Sequence, residues 1–387
     1  MARILFTVPP LVGHLNPALA VARQLAAQGH EVAWAVHAER IGERIPDGMQ
    51  VLDIGVNDPV NGIDASQVRG LESVRVFFED YTVPMARACT PQLMGHARAF
   101  APDVMVVDHQ MPAGALVARA LGLPWVTLVT TTASILKLSD TMDQWVASQY
   151  AVLQREFLQA DRHVERPDLS PHRVVVFSHQ SLMGELQDCL DAPYEFVGPT
   201  QGEGRRQVDF PWSFLKPDTR KVLISLGTVS RDRDTRFFEV FLQAMAQLPD
   251  VQAVMVAPSS LQAMAPPNVL VRDFVPQVDL LPHLHAVVCH AGHNTVCEAL
   301  SHGLPLGVAP IRDDQPVVAR QVVQAGAGVS IRYGKVTVNT AVQTHKTLLD
   351  DPALRQSAAS LATHFRNSPG AAGAARSILG LCQTAPV

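Results

Sequence analysis

A histidine near the start of the chain is the first residue whose type and position suggest chemistry. His14 lies in the segment Gly13-His14-Leu15-Asn16-Pro17 and follows an apolar run, Arg3 to Val8, that predicts a buried strand. Asn16 can cap a helix and Pro17 suits its first turn, so we predict that His14 lies on the strand-to-helix loop. A histidine there can take a proton from a hydroxyl nucleophile at neutral pH. A histidine that only stabilises the loop would give the same pattern.

An acidic residue at the end of another predicted strand could partner this histidine. Asp108 follows the run Asp103 to Val107. In a parallel sheet this strand end can share an edge with His14, and a carboxylate there could hold one imidazole nitrogen and make the other more basic. An ordinary helix N-cap is the alternative for an aspartate at this position. The expected proximity to His14 favours the catalytic pairing.

The polar block His290 to Glu298 is the strongest signal in the chain. It follows an apolar, strand-like run and opens a predicted helix. Gly292 lets the backbone approach a ligand closely, and Asn294 and Thr295 sit where the helix N–H groups and dipole point at an anion, which suits a diphosphate. Glu298 lies about one turn further on, in a position to reach ribose hydroxyls. A capped helix with incidental polar residues is the alternative, and four polar groups at this spacing make it the weaker one.

A second polar pair follows the next predicted strand, Leu306 to Ala309. Asp314 and Gln315 stand side by side after that strand. A carboxylate and an amide at a strand end can hold adjacent sugar hydroxyls. As a bare pair they would be an ordinary polar loop.

Two other patterns suggest a metal, and neither is convincing. The segment Asp232-Arg233-Asp234 has the spacing of a D-x-D metal site but lies among arginines in what reads as a solvated loop. Four histidines close in sequence lack a usual zinc-ligand spacing: His283, His285, His290 and His293. We therefore expect no metal and no cofactor. No G-x-G-x-x-G follows a strand and no G-x-S-x-G occurs, which disfavours a nicotinamide enzyme and a serine hydrolase.

Length and composition describe a soluble two-domain protein. The chain has 387 residues, of which 47% are hydrophobic and 17% charged. Its net charge of −5 disfavours nucleic acid as a partner. Five cysteines without a C-x-x-C pair indicate reduced thiols in the cytoplasm. The first apolar run breaks at Pro9-Pro10, so it predicts a strand rather than a signal peptide, and no run approaches the ~20 apolar residues of a membrane span.

Strands and helices alternate in two halves of similar build. Continuous apolar strands separated by helices predict parallel sheets covered on both faces. We expect an N-terminal domain over residues 1–200, a linker over 201–217, a second domain over 218–365 and a last helix within 366–387 that could pack back on the first domain. Ligands of such sheets bind at the carboxyl ends of the strands.

Taken together, these motifs resemble glycosyltransferase family 1, and most closely its bacterial natural-product members of the macrolide type. The resemblance covers nearly the whole chain. It implies the GT-B fold, which is α/β with two Rossmann-like, doubly wound domains facing across a cleft. The matching pieces are Gly13 to Pro17, Asp108, Ser225-Leu226-Gly227-Thr228, Phe274-Val275-Pro276-Gln277, His290 to Glu298, and Asp314-Gln315.

The resemblance also implies a role for each matching residue. His14 would be the base and Asp108 its partner, in an inverting, metal-independent transfer. The donor would be a UDP or dTDP sugar, and the acceptor a hydroxyl of a small lipophilic natural product. On the donor side the implied residues are Thr228 near the phosphates, Phe274, Val275 and Gln277 at the nucleobase, His290, Gly292, Asn294 and Thr295 at the diphosphate, Glu298 at the ribose, and Asp314 and Gln315 at the sugar.

Five apolar side chains suggest an acceptor pocket, although core packing explains such residues equally well: Phe77, Phe78, Tyr81, Met111 and Trp145. Partners beyond donor and acceptor are not indicated, and a homodimer stays open. Three other functions share the fold. A GT-B enzyme for a lipid-linked sugar would usually have a Gly-rich first loop, an epimerase would lack a base at His14, and a non-catalytic partner subunit would have lost catalytic or donor residues.

Overall fold

The computed structural model describes residues 1–55, 71–137, 139–184, 189–200, 209–227 and 235–384. The chain divides into two compact units. The first comprises Met1–His179, Glu185–Glu203 and Ser368–Val387, and the second Gln180–Gly184 and Gly204–Asn367.

The first unit is built on a parallel sheet of seven strands in the order β3-β2-β1-β4-β5-β6-β7. Its central strands β1, β4 and β5 are mostly apolar because helices cover both faces of such a sheet. In register, Ile4 of β1 lies between Val32 of β2 and Val104 of β4. The strands are β1 Arg3–Thr7, β2 Glu31–Val36, β3 Gln50–Asp53, β4 Val104–Asp108, β5 Trp125–Val129, β6 Val174–Val176 and β7 Tyr194–Phe196.

Helices of the first unit pack on this sheet, and the last helix of the chain is one of them. Ala374, Ala375 and Ile378 of that helix join the core formed by the first helix and the sheet. A π-helical turn, Phe77–Thr82, connects the third and fourth helices. The helices are Val12–Ala27, Ala38–Ile41, Leu71–Val76, Val83–Phe100, Pro112–Leu121, Asp140–Phe157 and Gly370–Thr384.

The first helix begins four residues earlier than the sequence predicted. It starts at Val12, because the Leu11 carbonyl already accepts the N–H groups of His14 and Leu15, both at 3.0 Å. Asn16 is therefore inside the helix, and its side chain accepts a hydrogen bond from Arg44 at 3.3 Å instead of capping. As a result His14 lies in the first turn of the helix rather than on a loop.

The second unit has a parallel sheet of six strands in the order β10-β9-β8-β11-β12-β13. The strands are β8 Arg220–Ser225, β9 Val251–Val256, β10 Val269–Arg272, β11 Ala286–Cys289, β12 Leu306–Val308 and β13 Gly328–Ser330. The helices are Gln180–Met183, Arg236–Ala246, Gln277–Leu280, His293–Ser301, Gln315–Gln324, Val338–Asp350 and Pro352–Asn367.

Part of the predicted linker is packed into this second unit. Phe210 is buried in its core beside residues of β8 and β9, and a short 3-10 helix, Trp212–Phe214, follows. Phe214 and Leu215 pack against the same core, because this contact removes their apolar side chains from water. Residues 201–208 of the predicted linker lie outside the described residues.

The strand order of both sheets confirms the predicted pair of doubly wound, parallel-sheet domains. In each sheet the order reverses beside the first strand, between β1 and β4 in one and between β8 and β11 in the other. The loops that leave these two strands run in opposite directions, which opens a crevice at their carboxyl ends where ligands bind. No helix in the described parts of the chain has the length and apolarity to cross a bilayer.

Candidate active site

His14 and Asp108 meet at the switch point of the first sheet, although 94 residues separate them. His14 Nδ1 lies 2.9 Å from one carboxylate oxygen of Asp108 and 3.0 Å from the other. It also lies 2.8 Å from Thr130 Oγ1, beyond the end of β5. Because an ionised carboxylate only accepts hydrogen bonds, Nδ1 carries the proton and donates it. In the neutral tautomer with this proton on Nδ1, the other nitrogen, Nε2, has a free lone pair and can accept a proton.

The surroundings of Asp108 keep it ionised. Its complete burial would by itself raise its pKa, but the neighbouring rings of His14 and His109 and the N–H of Gln110 outweigh burial and lower it. The Gln110 N–H donates to Asp108 Oδ1 at 2.8 Å. A negative charge is therefore fixed beside His14, where it stabilises an imidazolium once the ring takes up a proton.

Two residues that the sequence analysis did not select, His109 and Thr130, complete this cluster. The His109 ring centroid lies 5.4 Å from that of His14, and its Nδ1 donates to the Leu128 carbonyl at 3.2 Å. Burial lowers the pKa of His109, more than the opposing attraction of Asp108 raises it. Both residues come directly after an apolar strand, and that position was the signal that could have found them.

His14, Asp108 and His109 also form a set of ligand atoms within 4.8 Å of one another. It is the single group of three or more His, Cys, Asp or Glu side chains close enough to hold a metal in the described parts of the chain. Nitrogen and carboxylate ligands of this kind suit zinc. The histidines that the sequence suggested as possible zinc ligands were others, and this group was not predicted.

The five residues predicted for the acceptor pocket differ in burial. Phe78, Tyr81 and Met111 are buried in the cluster between the sheet and its helices. Phe77 and Trp145 are only partly buried and pack edge-on against Phe78, each with ring centroids 5.6 Å away. The hydrophobic effect accounts for the burial of three of these side chains, and the acceptor pocket stays a prediction.

In the second unit, His290 directly follows β11 and so lies at the switch point of that sheet, between β8 and β11. Its ring is enclosed by two glycines. A Cβ atom added to Gly227 would lie 2.7 Å from His290 Cε1, and one added to Gly292 would lie 2.5 Å from Nε2. Real Cβ atoms do not approach so closely, so both glycines are required for the ring to sit where it does. This explains the glycine of the Ser225-Leu226-Gly227 segment.

His290 is neutral near pH 7. Burial lowers its pKa to about 4, with Arg312 lowering it further and Asp314 opposing. Its Nδ1 is a buried atom for which the described residues provide no hydrogen-bond partner. The ring can therefore donate one hydrogen bond to a phosphate but brings no charge of its own.

The helix His293–Ser301 begins beside this histidine. Gly292 is its N-cap, and Asn294 and Thr295 lie in its first turn, as expected from the sequence. Ala291 adopts a left-handed conformation with φ of 66°, which is unusual for a residue with a Cβ and is found at ligand-binding turns. The first-turn amides point out of the helix end, where an anion is stabilised.

Gln277 and Glu298 are brought together by the fold. Gln277 Nε2 donates to Glu298 Oε2 at 2.7 Å. Phe274 is 47% exposed, so its ring is free to stack on a base. The side chain of Val275 is buried in the core, so its predicted contact with the nucleobase would have to come from its backbone. Thr228 lies outside the described residues, as do Asp232 and Asp234.

The side chain of Gln315 has a structural role in addition to its predicted role in binding the sugar. Its Oε1 accepts the N–H groups of Ile311 and Arg312, at 2.9 and 3.1 Å. Only its amide NH2 group remains for a sugar hydroxyl. Asp314 precedes the helix Gln315–Gln324 without capping it through its side chain and lies near enough to His290 to raise its pKa. Asp314 and His290 therefore belong to one site.

Comparison with known proteins gives a consistent result over the whole chain. Residues 193–371 match the family model described as UDP-glucoronosyl and UDP-glucosyl transferase. The 4'-demethylrebeccamycin synthase of Lentzea aerocolonigenes is 27% identical over 94% of this chain and 96% of its own length. The demethyllactenocin mycarosyltransferase of Streptomyces fradiae is 25% identical over 100% of this chain and 87% of its own length.

Solved structures with the same fold include two glycosyltransferases. The kitacinnamycin glycotransferase has a TM-score of 0.79 and 25% identity, over 98% of both chains. The calicheamicin glycosyltransferase CalG4 has a TM-score of 0.80 and 23% identity, over 100% of both chains. The similarity extends through both units and is not confined to one of them.

Proposed function

We propose that the chain is a family 1 glycosyltransferase of the bacterial natural-product type that moves a sugar from a nucleoside-diphosphate sugar to a hydroxyl of a small lipophilic acceptor, with inversion at the anomeric carbon. The observation that carries this proposal is the His14–Asp108 pair, a buried carboxylate holding a histidine whose second nitrogen can act as a base. The acceptor binds to the first unit and the donor to the second.

In the proposed reaction His14 is the general base. Its Nε2 takes the proton of the acceptor hydroxyl as the oxygen attacks the anomeric carbon. The new carbon–oxygen bond forms on the face opposite the leaving group, which inverts the centre. The bond to the β-phosphate oxygen breaks and its electron pair leaves with the nucleoside diphosphate. Asp108 stabilises the imidazolium that results.

The donor is held by groups that are preorganised in the second unit. The neutral ring of His290 and the first turn of the helix His293–Ser301 bind the diphosphate. Glu298, oriented by Gln277, reaches the ribose. Asp314 and the amide NH2 of Gln315 hold the sugar. Phe274 stacks on the base, and uracil and thymine both fit such a contact; one relative by fold, VinC, is solved in complex with dTDP.

The test of this function is direct. The protein is incubated with UDP and dTDP sugars and a panel of lipophilic aglycones, and the products are identified by mass spectrometry. NMR of a product gives the anomeric configuration. A glycosylated aglycone with inverted configuration supports the proposal. Absence of transfer with every pair, together with absence of nucleotide binding, would contradict it.

We predict that transfer does not require a metal ion. The diphosphate is met by helix amides and protein donors, which supply the stabilisation that Mg²⁺ provides in other enzymes. The rate in excess EDTA is expected to equal the rate without it. A rate abolished by EDTA and restored by Mg²⁺ or Mn²⁺ would implicate Asp232 and Asp234, whereas restoration by Zn²⁺ alone would place a metal at His14, Asp108 and His109.

We also predict that Glu298 and Asp314 serve different parts of the donor. Losing a hydrogen bond to a charged group costs about 1.5–3 kcal/mol, or roughly 10- to 150-fold in affinity. Glu298→Ala is expected to weaken the intact donor and the bare nucleoside diphosphate alike. Asp314→Ala is expected to weaken the donor or slow its transfer and to leave the bare diphosphate almost unchanged.

Calorimetric titration of both ligands into both variants, with transfer rates alongside, measures this difference. Asp279→Ala, which changes a carboxylate on the nearby helix Gln277–Leu280, is the matched control and should change neither affinity. If Asp314→Ala loses the bare diphosphate as badly as Glu298→Ala does, the assignment of the two subsites is wrong.

A further inference from the structure

A buried threonine lies beside the proposed base and has no part in the reaction described above. Thr130 directly follows β5. Its Oγ1 lies 2.8 Å from His14 Nδ1, which is shorter than the distance from that nitrogen to either oxygen of Asp108. In the part of the chain that the structure describes, this is the single hydrogen bond of the Thr130 side chain. The hydroxyl therefore serves the imidazole rather than a neighbouring backbone group.

The pairing of two parallel strands brings Thr130 to this position. Asp108, the last residue of β4, lies opposite Leu128 of β5. Because side chains alternate along a strand, Thr130, two residues after Leu128, faces the same way as Asp108. A short 3-10 helix, Thr132–Ile135, starts two residues further on. Thr130 is therefore held between two regular elements, and its β-branched side chain is restricted in rotation.

The carboxylate of Asp108 alone leaves the orientation of the His14 ring incompletely defined. His14 Nδ1 is almost equally distant from the two carboxylate oxygens, at 3.0 and 2.9 Å, so the ring can turn from one oxygen to the other without losing its partner. Thr130 Oγ1 approaches the same nitrogen from a different strand. Contacts from two strands restrict the ring to one orientation, and with it the direction in which Nε2 points.

The orientation of a base enters the rate of proton transfer directly. A general base works only when its nitrogen is within hydrogen-bond reach of the proton that it takes, and a small misplacement of the reacting groups slows the step. The residues proposed to bind the donor lie in the second unit, apart from this ring. A residue that fixes the His14 ring is therefore expected to affect kcat and to leave the affinity for the donor unchanged.

We propose that Thr130 is a positioning residue for the transfer reaction. Its hydroxyl, together with the carboxylate of Asp108, holds the His14 ring so that Nε2 points at the acceptor hydroxyl. This rests on the proposed function, since it assigns a further residue to the same base. Because the role is exercised through His14 alone, loss of the Thr130 hydroxyl should have no effect once the imidazole is absent.

Two substitutions separate the hydroxyl from the shape of the side chain. Thr130→Val keeps the branched shape, and it is expected to lower kcat by roughly 3- to 10-fold while the calorimetric affinity for UDP or dTDP stays unchanged. Thr130→Ser restores the hydroxyl and should recover most of the loss. Thr7→Val is the matched control and should change neither quantity, because Thr7 ends β1 and its buried hydroxyl has no hydrogen-bond partner among the described residues. In the His14→Ala background, Thr130→Val should leave the residual rate unchanged.

The outcomes separate this proposal from the proposed function. A wild type without transfer activity contradicts the function itself. A wild type that transfers, with a Thr130→Val variant that is equally fast or that loses UDP affinity to the same extent as kcat, overturns only the role of Thr130. A Thr130→Ser variant as slow as Thr130→Val also overturns it, as does a further loss of rate in the His14→Ala background, because the hydroxyl would then act on a substrate directly. Should Thr130→Val fail to fold, Thr130→Ser and Thr130→Ala, which differ only in the hydroxyl, are compared in the same way.

Discussion

Replacing His14 with alanine is expected to lower kcat by roughly a hundredfold or more and to leave donor affinity nearly unchanged. A positioned general base typically contributes 10²- to 10⁴-fold. His14 is the only one of the two histidines beside Asp108 whose Nδ1 lies within 3.0 Å of that carboxylate, so its Nε2 is the nitrogen prepared to accept a proton. The residues proposed to bind the diphosphate lie in the second unit, which this substitution does not touch. Steady-state rates and calorimetric titration with UDP or dTDP measure the two quantities.

Two further variants show whether the loss comes from the base. Asp108→Asn keeps the shape of the side chain and removes its charge, so it should reduce kcat less than His14→Ala does. His364→Ala changes an exposed histidine of the second unit and should leave kcat unchanged. Near-normal turnover of His14→Ala, or an equal loss of donor binding, would remove His14 from the role of base.

The second large effect concerns stability in acid and arises at His345. This side chain is completely buried in the second unit, its ring lies edge-on to Phe241 at 5.4 Å, and neither nitrogen has a hydrogen-bond partner among the described residues. Burial lowers its pKa to about 4. In the unfolded chain the His345 ring is protonated below about pH 6.5, whereas in the folded protein it is protonated only below about pH 4. The free energy of unfolding therefore falls as the pH drops through this window, by on the order of 3 kcal/mol in full.

Urea unfolding at a series of pH values between 7.5 and 4.5 measures this effect. His345→Leu removes the titrating ring, so its unfolding free energy should depend less steeply on pH than that of the wild type. At pH 7.5 the variant should be as stable as the wild type or more so, because two unsatisfied nitrogens are replaced by apolar atoms. His364→Leu, at an exposed position, should keep the wild-type slope. An unchanged slope in His345→Leu would mean that the buried ring takes up its proton in the folded state as well.

The sequence by itself determined the class of fold and the residues of the donor motif. The predicted runs for β1, β4 and β12 agree with the observed strands to within one residue at each end, because a strand buried on both faces is marked by a continuous apolar stretch. The block from His290 to Glu298 was identified for a local reason, since a glycine turn followed by a helix start is readable within nine residues. Alternation of strand and helix was enough to predict two parallel sheets.

Other features depended on contacts between distant parts of the chain. Thr130 contacts His14, from which it is separated by 116 residues. A polar residue after a strand does not by itself indicate such a distant partner. Local cap signals placed the first helix at Asn16, whereas the Leu11 carbonyl starts it at Val12. Apolar type alone could not separate Phe78, which is buried, from Phe77, which is partly exposed, because both fit a core and a pocket equally well.

Charge state was decided by the tertiary structure alone. Nothing in the sequence distinguishes His290 and His345 from an exposed histidine, yet burial makes both rings neutral near pH 7. The physical reason is that the cost of removing a charge from water depends on everything packed around it, and that environment is assembled from segments far apart in the chain.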